Sequence, residues 1–239
     1  MKKLLFILFI ASGSMVAQLN SDGFYTGKFS DGDYYENKWS GELHINSTVP
    51  VNSFSDKYKA DNHNSIFSNF DVTGFSVAGR YMFNPYIGFR TTVHSENLKK
   101  SSATLPWHMQ FYGAKFELVT NGSRLLNVDQ YLGNFGFLLH TGLQFDYVKS
   151  KTPNTLTSFQ NYNARERTIG LIYGITPQYK ISKKLALQLD ISGQFIFLQH
   201  FNWDGSYNTH SRLHGLSYTT SIGLSYSFGS YDSHGDWYR

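Results

Sequence analysis

His200, Asp204, His210, Ser211 and His214 lie close together in one turn-rich stretch, and they are the residue types that acyl-transfer or metal chemistry uses. A serine nucleophile needs an imidazole to take its proton and an acid to orient that imidazole. Three histidines at one hairpin end outline a zinc-ligand set, but a zinc site also wants supporting hydrogen-bond partners and a ligand-spacing signature, which this stretch lacks. No lipase or deacylase motif surrounds these residues, so they read as polar residues of a hairpin mouth. The chain has no cysteine, which removes disulfides, thiolate metal sites, cysteine nucleophiles and lipid-accepting cysteines. No phosphate-cradling glycine loop, metalloprotease motif or recognisably spaced pair of catalytic carboxylates occurs. The sequence therefore reads as non-enzymatic and without a cofactor.

A second set of charges has a more regular setting. Glu42, Arg80, Arg90, Lys115, Glu117, Asp146 and Asp190 each fall on the polar face of an alternating stretch, among Gly, Ser and Thr and with Gln144, Gln178, Gln188 and Gln194. His94 and His140 share that face. Opposite charges enclosed together would pair and hydrogen-bond one another rather than react.

The elements that carry them are strands, because apolar residues recur at every second position. Eight such segments are legible: Trp39–Val49, Phe70–Phe83, Tyr86–Asn97, Trp107–Val119, Gly133–Lys149, Arg165–Tyr179, Leu185–His200 and Gly215–Phe228. Asn84-Pro85 and Ser182–Lys184 are tight turns, whereas the link through Asn121-Gly122 is longer. Each segment meets or exceeds the roughly 9 to 11 residues that cross a bilayer as a tilted strand. The expected fold is all-β, an eight-stranded antiparallel transmembrane barrel of up-and-down type. A soluble sandwich would bury the apolar faces instead. The long strands, the small residues on the polar face and the aromatics at strand ends favour the barrel. Trp39, Phe83, Tyr86, Phe135, Tyr179, Tyr226 and Phe228 are expected at one membrane interface, with Tyr147, Phe197 and Tyr218 nearer the other. A barrel of eight strands is only wide enough for side chains to fill its lumen, so the charges should form a plugging network.

Composition agrees. Aromatics make up 17% of the 239 residues and charged residues only 16%, below the roughly 25% of ordinary soluble domains. Met1–Ala17, with Lys2, Lys3 and a short apolar run, reads as a cleavable secretory signal. Residues 18–38 are then a polar periplasmic segment, 39–229 the barrel and 230–239 a short periplasmic tail. Without Lys2 and Lys3 the chain has 19 basic and 17 acidic residues, a balance of +2. The charges are interspersed, so no nucleic-acid partner is implied.

Several stretches resemble the amino-terminal barrel of OmpA-family proteins from Bacteroidetes. They are Trp39-Ser40-Gly41-Glu42-Leu43, Gly79-Arg80-Tyr81-Met82-Phe83, Gly122-Ser123-Arg124-Leu125-Leu126-Asn127 and Gly174-Ile175-Thr176-Pro177-Gln178. Sharper are Gln199-His200-Phe201-Asn202-Trp203-Asp204-Gly205 and the ending Gly223-Leu224-Ser225-Tyr226-Ser227-Phe228-Gly229 with His234-Gly235-Asp236-Trp237. In that family a His-x-Asp-Trp element commonly leads into a peptidoglycan-binding domain, and this sequence stops at Arg239. The resemblance implies an outer-membrane location and a structural or surface-interaction role. It also implies contact with outer-membrane lipid and lipopolysaccharide, and handling by the assembly machinery through the aromatic-terminated last strand. A protein partner would meet the exposed loops, above all Pro50–Asn69, or hold the barrel as a subunit. The competing readings are a narrow porin-like channel, an accessory subunit of an assembly or secretion machine, and a lipid-modifying enzyme.

Overall fold

Alternation is realised as eight strands that close on themselves. In the computed structural model, which describes residues 37–52, 71–100, 107–150, 165–203, 213–230 and 234–237, the strands are β1 (Trp39–Asn52), β2 (Gly74–Met82), β3 (Ile87–Lys100), β4 (Trp107–Asn121), β5 (Phe135–Ser150), β6 (Arg165–Lys180), β7 (Leu185–Gln199) and β8 (Leu213–Phe228). Each pairs antiparallel with its sequence neighbour, and β1 pairs with β8 to complete the barrel. The secretory signal, most of the polar segment after it and most of the 50–69 loop lie outside the described residues.

The pleat sorts the side chains as a membrane barrel requires. Leu43, Phe75 and Val93 are each 62% exposed on the outer surface, whereas Glu42, Ser76 and His94 beside them are buried. A buried charged interior beneath an exposed apolar exterior is the inverse of a soluble sandwich. Rings gather at the turn end of the cylinder, where Trp39 meets Tyr81, and Phe135 meets Tyr179, both at 4.8 Å, with Tyr226 and Phe228 at 5.2 Å. Phe83 is exposed there and Tyr86 lies half-buried in the β2–β3 turn. Toward the other end stand Tyr147 on β5, Phe197 on β7 against Phe195 at 5.2 Å, and Tyr218 on β8 opposite Gly193.

Strand ends depart from the sequence expectation for local reasons. β1 runs on past Val49 through Pro50, because beyond Asn46 its ladder partner among the described residues is β8 alone, and a missing N–H is tolerated on a one-sided strand. β2 begins at Gly74 rather than Phe70. The β2–β3 turn is set by Asn84, whose Oδ1 accepts from the N–H groups of Tyr86 and Ile87, both at 2.9 Å. Ser182 Oγ plays the same part in the β6–β7 turn, accepting from Leu185 N–H at 3.1 Å. The β4–β5 link holds two single-turn helices, α1 (Gly122–Leu125) and α2 (Asp129–Leu132), where sequence periodicity suggested only a link. Asn121 caps α1 by accepting from Arg124 N–H, and Asn127 adopts a left-handed φ of 56° between the two.

Within the expected tail, the described residues 234–237 turn inward. Gly235–Trp237 form one 3-10 turn, and His234, Gly235 and Asp236 are buried.

Candidate functional site

Inward-facing positions on successive strands stack into layers along the lumen. Nearest the turn end, Arg80 donates from Nε to Glu42 at 2.8 Å and from both terminal nitrogens to Asp236 at 2.8 Å. Arg80 is 0% exposed. One layer on, Arg90 lies opposite Arg80 in register, but its guanidinium leans on Glu117 at 2.9 and 3.0 Å, Asp190 at 3.4 Å and Glu42 at 3.5 Å. The two arginines share Glu42, which keeps like charges one strand apart from repelling unscreened. The nitrogens of His140 stand 2.7 Å from Glu117 and 3.1 Å from Asp190, off the in-line direction of a hydrogen bond. Asp190 also accepts from Thr176 Oγ1 at 2.7 Å and from Ser192.

A separate group follows. Asp146 takes Gln144 Nε2 at 2.5 Å and faces His94 Nε2 at 3.1 Å, while Gln194 donates to Thr219 at 2.8 Å and Thr219 meets Thr48 at 2.7 Å. Lys115 is buried beside Thr92 and Gln144 in register and joins no ion pair among the described residues. Of the sequence-derived network, the structure brings together Glu42, Arg80, Arg90, Glu117 and Asp190. It sets Asp146 apart with His94, and Lys115 outside both groups.

Toward the far end lies an apolar layer. Leu98, Met109, Phe111, Val148, Ile196 and Trp203 form a buried cluster, with Trp203 and Phe111 ring centroids 5.3 Å apart. Between this layer and the polar group a cavity of about 10 Å³ remains, room for about one water. Inward glycines make space for the bulky polar groups. A Cβ on Gly174 would fall 2.6 Å from His140 Nε2 and 2.5 Å from the Ile191 carbonyl, and one on Gly223 would fall 2.2 Å from the His44 ring. Gly174→Val is expected to cost about 1–3 kcal/mol through overpacking against backbone that cannot retreat. A lowered unfolding midpoint in lipid checks this, and an unshifted one contradicts the packing.

Of the residues weighed for catalysis, the two described ones, His200 and His214, engage different partners. His200 Nδ1 is 2.7 Å from Glu166, which also accepts from the backbone N–H groups of His200 and Phe201. His214 stacks on Phe195 at 5.5 Å instead. Asp204, His210 and Ser211 lie outside the described residues. Among the described residues no group of three His, Cys, Asp or Glu is arranged to hold a metal.

Asp236 and His234 are lumen residues that sequence reasoning missed, since no periodicity marks a tail. Burial disfavours the charged Asp236 carboxyl, but the Arg80 guanidinium outweighs it and holds the group below the usual carboxylate range. Burial lowers His234, whose Nδ1 accepts from Asp236 N–H at 3.3 Å, as a neutral ring can.

No protein-family model matches the sequence, and no curated protein does. Solved structures do. The outer-membrane protein OprG from Pseudomonas aeruginosa superposes with a TM-score of 0.51 at 12% identity, over 83% of this chain and 100% of its own. A major outer-membrane protein from Thermus thermophilus gives 0.49 at 14% identity, over 80% and 99%. Neisserial surface protein A gives 0.46 at 12% identity, over 80% and 96%. At 12% identity the likeness to OprG carries the fold, a closed outer-membrane β-barrel, and nothing about activity. That fold and the apolar exterior together locate this barrel in an outer membrane.

Proposed function

We propose that the chain is a sealed OmpA-like barrel with a structural and surface-interaction role, kin to the amino-terminal barrels of Bacteroidetes OmpA-family proteins. The observation that carries this reading is the filled lumen, with ion pairs at one end, amides and histidine in the middle and an apolar layer toward the other. A path for solute would need those groups to part. Buried charges that hold each other are costly to separate, because each partner would be left alone in a low-dielectric space. Outside the cylinder the working chemistry is lipid solvation, with phospholipid and lipopolysaccharide as the immediate contacts. The connections 53–73, 101–106, 151–164 and 200–212 all leave from the strand ends opposite Trp39 and Phe228, the end that faces the cell exterior in an outer-membrane barrel. Loops at that end are where a protein partner would be met. The last strand, ending in Tyr226 and Phe228, is what the assembly machinery would read. Neither a cofactor nor a catalytic step belongs to this reading.

Planar-bilayer recording tests it. The folded protein is expected to give no steady single-channel current, and large, lasting openings would replace this reading with a porin-like one. Faster migration of the unboiled protein on a gel provides the control that the barrel is closed.

A further inference from the structure

The other charges of the ion-pair layers sit on strands, but the segment after β8 reaches the same depth without belonging to a ladder. Its anchor is Asp236. Arg80 grips both carboxylate oxygens at 2.8 Å, Gln178 Nε2 donates to Oδ2 at 3.0 Å, and Asn121 Nδ2 donates to the Asp236 carbonyl at 3.2 Å. These donors come from β2, β6 and the end of β4, so three walls of the cylinder converge on one acidic residue. Around it, Asn37 bridges His234 in parallel, Trp237 Nε1 donates to the Phe135 carbonyl at 3.3 Å, and the His234 and Trp237 rings meet at 5.0 Å. A short piece held by a few side-chain bonds opens at lower free energy than strands held by full ladders. The bidentate arginine fork supplies the geometry, because its planar donors match the paired oxygens of a carboxylate or a phosphate, and the group it holds here is the Asp236 carboxylate.

We propose that His234–Trp237 is a removable stopper for the turn-side mouth, and that beneath it lies a blind pocket which binds a carboxylate on Arg80 and Gln178, with Asn121 taking the adjoining backbone carbonyl. The resident carboxylate is the chain's own Asp236, and the class of ligand that fits in its place is an acidic peptide. The pocket is blind because the Trp203 layer lies between it and the far end, so withdrawal of the stopper exposes Arg80 without opening a channel. The proposal rests on the sealed-barrel reading. It is probed at the other mouth, so the two fail separately: bilayer current defeats the seal, and mouth accessibility decides the stopper.

The absence of native cysteine makes the test clean. Ser227 is the last inward residue of β8, 1% exposed, and its Oγ has no hydrogen-bond partner among the described residues, so Ser227→Cys places a thiol at the turn-side end of the lumen at little cost. The full chain in nanodiscs is treated with a small charged methanethiosulfonate, in the Ser227→Cys background with and without Asp236→Ala. Labelling is expected to accelerate about tenfold or more when Asp236 is removed, the order expected for losing a charged hydrogen bond that holds a local opening shut. Ser217→Cys, deep in the lumen at 0% exposure, should stay protected in both. Acetyl-Gly-Asp-Trp-amide should slow labelling of the Asp236→Ala variant, and its asparagine analogue should not. Equal labelling rates with and without Asp236 overturn the stopper, and equal effects of the two peptides overturn the carboxylate pocket. If Asp236→Ala does not give the folded gel band, Trp237→Ala, which leaves every lumen charge in place, decides by the same comparison.

Discussion

Arg90→Leu should be the most damaging single substitution in the lumen, costing about 3–5 kcal/mol of folding free energy. The guanidinium contacts Glu117 at 2.9 Å, Asp190 at 3.4 Å and Glu42 at 3.5 Å, and it is the residue through which these three carboxylates meet. Leucine would fill part of the space but leave Glu117 and Asp190 with no guanidinium, only His140 and the hydroxyls of Thr92, Thr176 and Ser192, since Arg80 is already engaged by Glu42 and Asp236. The cost comes less from the attraction lost than from the uncompensated charge left behind in a buried space. Unfolding midpoints in urea with lipid vesicles would measure it. Adding Glu117→Gln to Arg90→Leu should recover part of the loss, since it removes one stranded charge, and the non-additivity would report the coupling directly. A midpoint that does not move would mean that water solvates these carboxylates, and the lumen would then be open.

Leu143→Arg should produce the second large effect, about 2–4 kcal/mol in a bilayer. Leu143 lies midway along β5, opposite Phe116 and Leu171, and is 45% exposed on the outer face. An arginine there must either sit in hydrocarbon or bend its stem toward an interface half the membrane away. Ile181→Arg makes the contrast. Ile181 is 53% exposed, but it lies in the turn after β6, where the same charge should cost about 0–1 kcal/mol because it reaches the headgroups. Refolding yield and unfolding midpoints of the two variants in vesicles would compare them. Equal and small costs would mean that the exposed apolar face does not meet lipid.

The barrel is legible in the sequence because its signal is local. Along Phe135–Ser150 each side chain declares its face by type, so a reader needs only period two and length to place Leu139, Leu143 and Phe145 outside and His140, Gln144 and Asp146 inside. The same logic finds most of the strands to within a few residues. It fails where a different force sets the boundary: at Pro50, where one-sided pairing lets a strand continue, and at Asn121, where a cap turns the chain into a helix instead of a bend. It also could not show that Lys115 would stand apart from the carboxylates, because facing inward says nothing about height or angle around the cylinder.

By itself, then, the amino-acid sequence determined that strands form, how many there are, that the fold closes around polar groups and which side chains look inward. Those are properties of single strands, written in the alternation of residue types over nearest-neighbour distances. Which inward groups touch was decided only by the tertiary structure, because closure brings together positions whose separation along the chain carries no periodic trace. Arg90 reaches Asp190 across 100 residues, and Arg80 reaches Asp236 across 156. The register between strands and the return of the last segment into the mouth set those meetings, and both are settled by the free energy of the closed barrel as a whole.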